Sequence, residues 1–438
     1  LTLAQNTTAN DNTAVGYQAL TTNSTGATNT AVGRNALANN TTASNNTAVG
    51  NQSLGANTTG AQNTAIGAEC ADAITTGSNN TAVGFEAMGK LTTGTDNVAM
   101  GRAALLDTTS GAGNVAIGVE ALENNTADEN VAVGKHSLRA NTSGTSNVAL
   151  GINALNANTT GVNNTAVGYN TLDANTTGGN STAIGLQALT SQTTGTFNTA
   201  LGMFAGKNLT TGEYNTFIGS GTIAGTGNFG AGDLMTTGSK NTFLGGYNGN
   251  QNSLDLRTSS NNVVLSDGDG NIRIFVNNEG NTILGTVTSN PVNIADHRLV
   301  VELNSSNSGI AVGADGLVDT RVCMTFYNDN GVTGSITTNA SSTAFNTSSD
   351  YRLKENVTYT WDATTRLKQL KPARFNFKVD ADTTVDGFLA HEVSSIVPEA
   401  ITGEKDGEQM QGIDQSKLVP LLVKTIQELE ARVTALES

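Results

Sequence analysis

A glycine that returns every seventeen residues limits this chain more than any other feature. It closes strings of the type Asn-Thr/Val-Ala-apolar-Gly at Gly16, Gly33, Gly50, Gly67, Gly84, Gly101, Gly118, Gly134, Gly151, Gly168, Gly185, Gly202 and Gly219. Every step is 17 residues except the 16 between Gly118 and Gly134. A second glycine series keeps register with the first in Thr-rich triplets, among them Gly26, Gly60, Gly77, Gly94, Gly161 and Gly195. Four residues after the first glycine an apolar side chain recurs, as in Leu20, Leu37, Leu54, Met88, Leu105 and Leu122.

A period of 17 is too short for a pair of helices and suits one coil of a β-solenoid. Two short strands per coil are expected, one in "NTAVG" and one in the "xxAL" segment, with turns at the glycines. The residue before the first glycine is apolar, so it is expected to point into the coil, and the alanine before it onto the opposite face. A small residue on that face suggests the close approach of another backbone. Asparagine at a fixed position is expected to form a side-chain ladder from coil to coil. One coil cannot bury its apolar face alone, so stability must come from stacking. At ~4.8 Å per coil, about thirteen coils would stack to about 60 Å.

Composition narrows the function. With 13% charged and 5% aromatic residues and 50 glycines, an ordinary large globular core is excluded. The formal net charge of −15 argues against nucleic acid, which needs clustered Lys and Arg. No apolar run approaches the ~20 residues of a membrane span, so membrane insertion is not expected. Cys70 and Cys323 stand far apart, give no metal or disulfide framework, and read as small buried hydrophobes.

Beyond Gly219 the period breaks, and about nine extra residues precede "NTFLGG" at Asn241. Gly225, Gly227 and Gly230 spell G-x-G-x-x-G without the βαβ context that dinucleotide binding requires, and read as an exposed loop. Val263, Leu265, Ile272, Ile274 and Val276 alternate around a Gly/Asp turn as hairpin strands. Asp267, Asp269 and Asn271 copy the start of a calcium loop, but Ile272 and Asn278 replace its glycine and glutamate. Residues 297–345 read as further strands of a compact knob. No metal and no cofactor are expected.

The repeat resembles the head repeats of trimeric autotransporter adhesins, in which three left-handed β-rolls pack together, and repeats of bacteriophage tail fibres. From Ser349 to Ser438 the strings "SSDYRLKENV", "RLKQLKPARFNF", "DGFLAHEVSSIVPEAITGEKD" and "IDQSKLVPLLVKTIQELEARVTALES" resemble, in order, the C-terminal intramolecular chaperone of phage endosialidases, tail fibres and neck appendages. The resemblance implies a domain that trimerises, guides folding of the upstream β-structure and then cuts itself off. Carried onto this chain, the nucleophile is Ser349, its base is Lys354, and the scissile bond is Ser348–Ser349. The enzyme implied is a serine endopeptidase acting once in cis.

A serine hydroxyl needs a nearby base, and lysine serves only as the neutral amine. Residues five apart are opposite in a strand and about 140° apart on a helix. Either the chain bends between Ser349 and Lys354, or Lys354 serves a neighbouring chain. Asp350, next to the nucleophile, is placed to cap the following segment or to bind the cation of the site. His391 and Glu392 in "LAHEV" are supporting candidates; Ser395 stands where a zinc protease has its second histidine, so no zinc site is expected.

Leu422, Ile426, Leu429, Val433 and Leu436 follow heptad spacing, and Pro420 suits the first turn of their helix. The fold expected is therefore mainly β. It comprises a trimeric β-solenoid over 1–250, a β-rich knob over 251–348, and a small α+β chaperone over 349–438 ending in a coiled-coil helix. The expected role is a virion tail fibre or spike, assembled in the host cytoplasm as a homotrimer. Its expected partner is a host cell-surface receptor, glycan or protein. The alternative is a cellular trimeric surface adhesin, which would need an export signal and a membrane anchor.

Overall fold

Three-residue strands recur at the period of the repeat, from Thr13–Val15 to Thr216–Ile218, and lie side by side in one parallel sheet. The protein is known as a computed structural model that describes residues 2–223, 227–251, 254–280, 282–284, 299–301, 321–328, 331–338, 342–347, 349–378, 380–407 and 410–438. Two compact units divide the chain, Leu1–Ala311 and Val312–Ser438. The first is a β-solenoid of 17-residue coils. Like residues stack in register, Ala14 on Ala31 and Ala31 on Ala48.

Inside and outside are the reverse of the sequence expectation. The central alanines from Ala31 to Ala200 are fully buried, while the residue before each glycine faces outward; Val15 is 59% exposed and Leu201 45%. The reason is the narrowness of the coil. The interior is already filled by Leu20, Leu37, Leu54, Met88 and their equivalents, all fully buried. Opposite them only a methyl fits, because each parallel partner stacks an identical side chain ~4.8 Å away. The exception supports the rule. Phe217 and Phe243 stand at the alanine position, and there Gly206 and Gly232 withdraw their side chains; a Cβ on either would lie 2.7 Å from the Phe217 ring.

The "xxAL" segment is not a strand. It is a run of turns in which alternate residues, Gln18 and Leu20 in one coil, take left-handed φ of 55° and 52°. Such residues are costly for non-glycine types, and coil-to-coil hydrogen bonds such as Leu138 N–H to the Ala154 carbonyl (3.0 Å) offset that cost. The two glycine series share one need and differ in another. A Cβ on Gly118 or on Gly195 would lie 2.5 Å from a glycine carbonyl oxygen of the next coil, and Gly118 alone of the two also has a positive φ, of +139°.

The expected asparagine ladder is present, and a second runs beside it. In the first, Asn147 Nδ2 donates to the Gly161 carbonyl (2.9 Å) and Asn147 Oδ1 accepts the Asn164 N–H (3.0 Å). In the second, Asn158 Nδ2 donates to Asn141 Oδ1 (2.8 Å) and to the Gly161 carbonyl (3.0 Å).

After Gly219 the extra residues form an antiparallel hairpin, Ser220–Ile223 with Gly227–Gly230, where the sequence suggested a loop. Gly225 lies outside the described residues. Parallel pairing then resumes through Thr242–Leu244 and Val263–Ser266, and the latter strand turns back antiparallel onto Ile272–Val276 as expected. Asp267 is engaged by its own hairpin. It accepts from the Asn271 backbone and side chain and pairs with Arg273 at 2.6 Å. Cys70 is buried, which pushes its thiol up to about 12; the side chain of Cys323 lies outside the described residues.

The second unit holds an antiparallel meander, Arg321–Asn328, Gly331–Thr338 and Thr343–Thr347, and a hairpin of Ala373–Phe377 with Asp380–Gly387. Its helices are α1 (Ala363–Leu367), α2 (Ala390–Val393) and α3 (Val419–Glu437), the last with Pro420 in its first turn. Ala363, Val393, Val397, Ala400, Leu418 and Leu421 form the core, with Trp361 packed on it. Among the described residues no helix is long and apolar enough to cross a membrane.

Glu428 fastens α3 to α1. Its carboxylate accepts from the Thr364 hydroxyl (2.6 Å) and from the backbone N–H groups of Thr364 (2.8 Å) and Ala363 (3.0 Å). These donors, the Thr364 hydroxyl first, hold the Glu428 carboxyl below its ordinary value. A depressed carboxyl contributes stability at pH above the ordinary carboxylate range and loses it as pH falls through the folded value. Glu428→Gln is therefore expected to lower the melting temperature of this unit by a few degrees at neutral pH. The difference should vanish in acid. Fluorescence of Trp361, the single tryptophan of the chain, measures it.

Candidate functional site

Ser349 follows the last strand of the meander after one residue, and it is exposed. Ser348, the other side of the expected scissile bond, lies outside the described residues. The chain then makes one turn of 3₁₀ helix, Tyr351–Leu353. Asp350 starts that turn, its side chain accepting the Arg352 N–H at 2.9 Å. The turn ends where the Lys354 N–H donates to the Tyr351 carbonyl at 3.1 Å, and Lys354 itself is extended. This tight turn brings Lys354 back beside Ser349, with Nζ 2.8 Å from Oγ.

The chain thus bends between Ser349 and Lys354, one of the two routes left open by the spacing. Both regular geometries would have kept the residues apart, and the structure uses neither.

Asp350 does more than cap. Arg352 grips its carboxylate through Nε (3.0 and 3.1 Å) and Nη2 (2.6 Å). Those side-chain hydrogen bonds, then the Arg352 N–H, hold the Asp350 carboxyl below its usual range. The sequence suggested the capping role but not the Arg352 partner, although "DYR" carried the signal: an N-cap acid two residues before an arginine.

His391 and Glu392 lie on α2. His391 is exposed, and its carbonyl accepts the Ser394 hydroxyl at 3.0 Å; Glu392 stands 4.0 Å from Lys371. Among the described residues neither makes a hydrogen bond or ion pair with Ser349 or Lys354. No group of three or more His, Cys, Asp or Glu that could hold a metal ion occurs among the described residues.

The arrangement can do one kind of chemistry. An amine within hydrogen-bond reach of a hydroxyl can take its proton, and the activated oxygen can attack a neighbouring carbonyl.

The apolar heptad residues of α3 are all exposed in the single chain, Leu422 at 45% and Leu436 at 86%. Leu422 borders a cavity of about 630 Å³ lined by Leu367, Leu370, Pro372, Phe388 and Leu418.

Residues 349–402 match the sequence family described as the chaperone of endosialidase. No curated protein and no solved structure matches the chain. The family match and the solenoid together fit a protein of the tail-fibre or endosialidase type that carries a C-terminal chaperone domain, and the family implies self-cleaving intramolecular chaperone activity.

Proposed function

We propose that the chain is a phage tail fibre or spike for host attachment, whose C-terminal domain first assembles three chains and then severs itself before Ser349. The observation that carries the cleavage is the 2.8 Å approach of Lys354 Nζ to Ser349 Oγ. The neutral Lys354 amine takes the Ser349 proton, and Oγ attacks the carbonyl carbon of residue 348. The 348–349 C–N bond breaks as Lys354 returns the proton to the leaving nitrogen. An ester joins residue 348 to Ser349 Oγ, and water hydrolyses it. Residue 348 leaves as a carboxylate and Ser349 becomes a new N-terminus. Proximity is supplied by the backbone itself, so a single turnover suffices. Mass spectrometry of the purified protein tests this. Two species are expected, one beginning at Ser349; a single intact species would sink the reading.

Two exposed apolar features support the homotrimer. One is the seam on α3. The other is the outward row of the solenoid, which includes Ile66, Met100, Ile117, Leu150 and Ile184. That row repeats once per coil, so only a partner with the same axial repeat can follow it over many coils, and another copy of this chain has that repeat. An unpaired carboxylate buried in such a row costs several kcal/mol per chain, on the order of 3–5. Leu150→Asp combined with Ile184→Asp is therefore expected to convert cleaved trimers largely to monomers, read by light scattering. A double variant that remains trimeric would place the interface elsewhere.

The cellular adhesin is the second reading. The solenoid suits it equally, and the family match over residues 349–402 favours the phage assignment.

A further inference from the structure

We propose that Arg352 is a positioning residue for the Ser349–Lys354 pair, acting by pairing off the charge of Asp350. The inference rests on the Ser/Lys reading above and goes beyond it, because Arg352 touches neither Ser349 nor Lys354 by any hydrogen bond described.

Asp350 adjoins the nucleophile and lies close enough to Lys354 for their charges to interact. A bare carboxylate there would favour the ammonium form of Lys354, which cannot accept the serine proton. Arg352 offsets that influence. Its guanidinium is always charged and fits a carboxylate with two parallel donors. Here Nε and Nη2 together engage both carboxylate oxygens, at 2.6–3.1 Å. The charged residues of the segment are Asp350, Arg352, Lys354 and Glu355. Among the described residues the only ion pair any of them makes is Arg352–Asp350. Lysine at position 352 would be a poor substitute, since a point charge cannot hold the carboxylate plane.

The same contact also braces the turn that returns Lys354 to Ser349. The test must therefore separate charge from bracing. Three variants of the full chain, Arg352→Gln, Asp350→Asn and the double variant, are made by cell-free translation in buffers from about pH 6 to about pH 9, and fragment release is timed on denaturing gels. Asparagine still caps the turn, so Asp350→Asn removes the charge and keeps the cap, and the double variant compared with Arg352→Gln isolates the charge because both lack the brace.

Arg352→Gln is expected to cleave roughly three- to tenfold more slowly near pH 7, as an unpaired charge a few ångströms away in solvent warrants. It should regain the wild-type rate about one pH unit higher. The double variant is expected to cleave within about twofold of Asp350→Asn, the second substitution having rescued the first. The proposal is overturned by a slowing of Arg352→Gln that is the same at every pH, or by a double variant no faster than Arg352→Gln. Ser349→Ala run in parallel keeps the two levels apart: cleavage at this bond in that variant, or none in the wild type, sinks the Ser/Lys reading itself and this inference with it.

Discussion

Ser349→Ala is expected to leave the chain at its full 44.8 kDa on a denaturing gel, while the wild type separates into two pieces. The loss should be near total, roughly 10³-fold or more, because among the described residues no other hydroxyl is held against the base and nucleophile and base act as a unit. Lys354→Ala should arrest cleavage to the same depth, and Lys354→Arg as well, since a guanidinium does not surrender its proton at any accessible pH. Assembly should survive in all three. Neither residue belongs to the core of its unit, to the α3 seam or to the outward row of the solenoid. Oligomers that are assembled and uncut are thus the expected phenotype. Appearance of a Ser349-initiated fragment from Ser349→Ala would assign the nucleophile to another group.

Such a device suits a solenoid of near-identical coils. On the reading proposed above, a slip by one coil would lose little locally, and non-local β-pairing is slow and prone to aggregation. A C-terminal nucleus that gathered the chains would fix their register before the repeats fold. Its removal afterwards would leave a product that cannot retrace its route, with stability set by the rate of unfolding. The contact that ties α3 to α1 through Glu428 belongs to this economy of parts: the helix carrying the seam is also the one that caps the first helix of the domain.

The period of 17, the asparagine ladder and the glycine turns were legible in the sequence because each is a strict repetition of residue type. The face assignment was not. Alternation says that Ala and its apolar neighbour lie on opposite sides, but not which side is inside. That depends on how much of the interior Leu20 and its equivalents already occupy, which is a matter of volume and not of period. The second asparagine ladder had a signal, the Asn that recurs three residues before the second glycine, and Asn158 before Gly161 shows its use. At the site, Ser349 and Lys354 were legible through resemblance. Their mutual approach was not, because a single 3₁₀ turn between two extended residues has no periodicity to detect. The Asp350–Arg352 pair was missed although "DYR" carried its signal, a local one that periodicity does not read.

Asn147→Ala is expected to destabilise the solenoid at one coil while leaving its backbone angles untouched. Asn147 is fully buried near the middle of the solenoid. Truncation orphans the Asn164 N–H, which loses its acceptor at 3.0 Å, while the Gly161 carbonyl loses one donor and keeps Asn158 Nδ2. Asn130 Oδ1 loses Nδ2 of Asn147 (3.2 Å) but keeps the backbone N–H of residue 147 (3.0 Å). An unsatisfied buried polar group costs about 1–3 kcal/mol, and the orphaned Asn164 N–H is expected to cost that much. The cavity left by the side chain adds to this. The exposed Thr160 of the next coil is the control. Its substitution by alanine removes a solvated hydroxyl and should change stability by less than about 0.5 kcal/mol. Coils contact only their neighbours, so the loss should be local first. Hydrogen exchange is expected to speed up in the coils around Asn130, Asn147 and Asn164 while coils near Asn29 and Asn46 keep their protection. Uniform loss of protection from end to end would mean that the solenoid melts as one cooperative body and that the ladder does not carry its stability coil by coil.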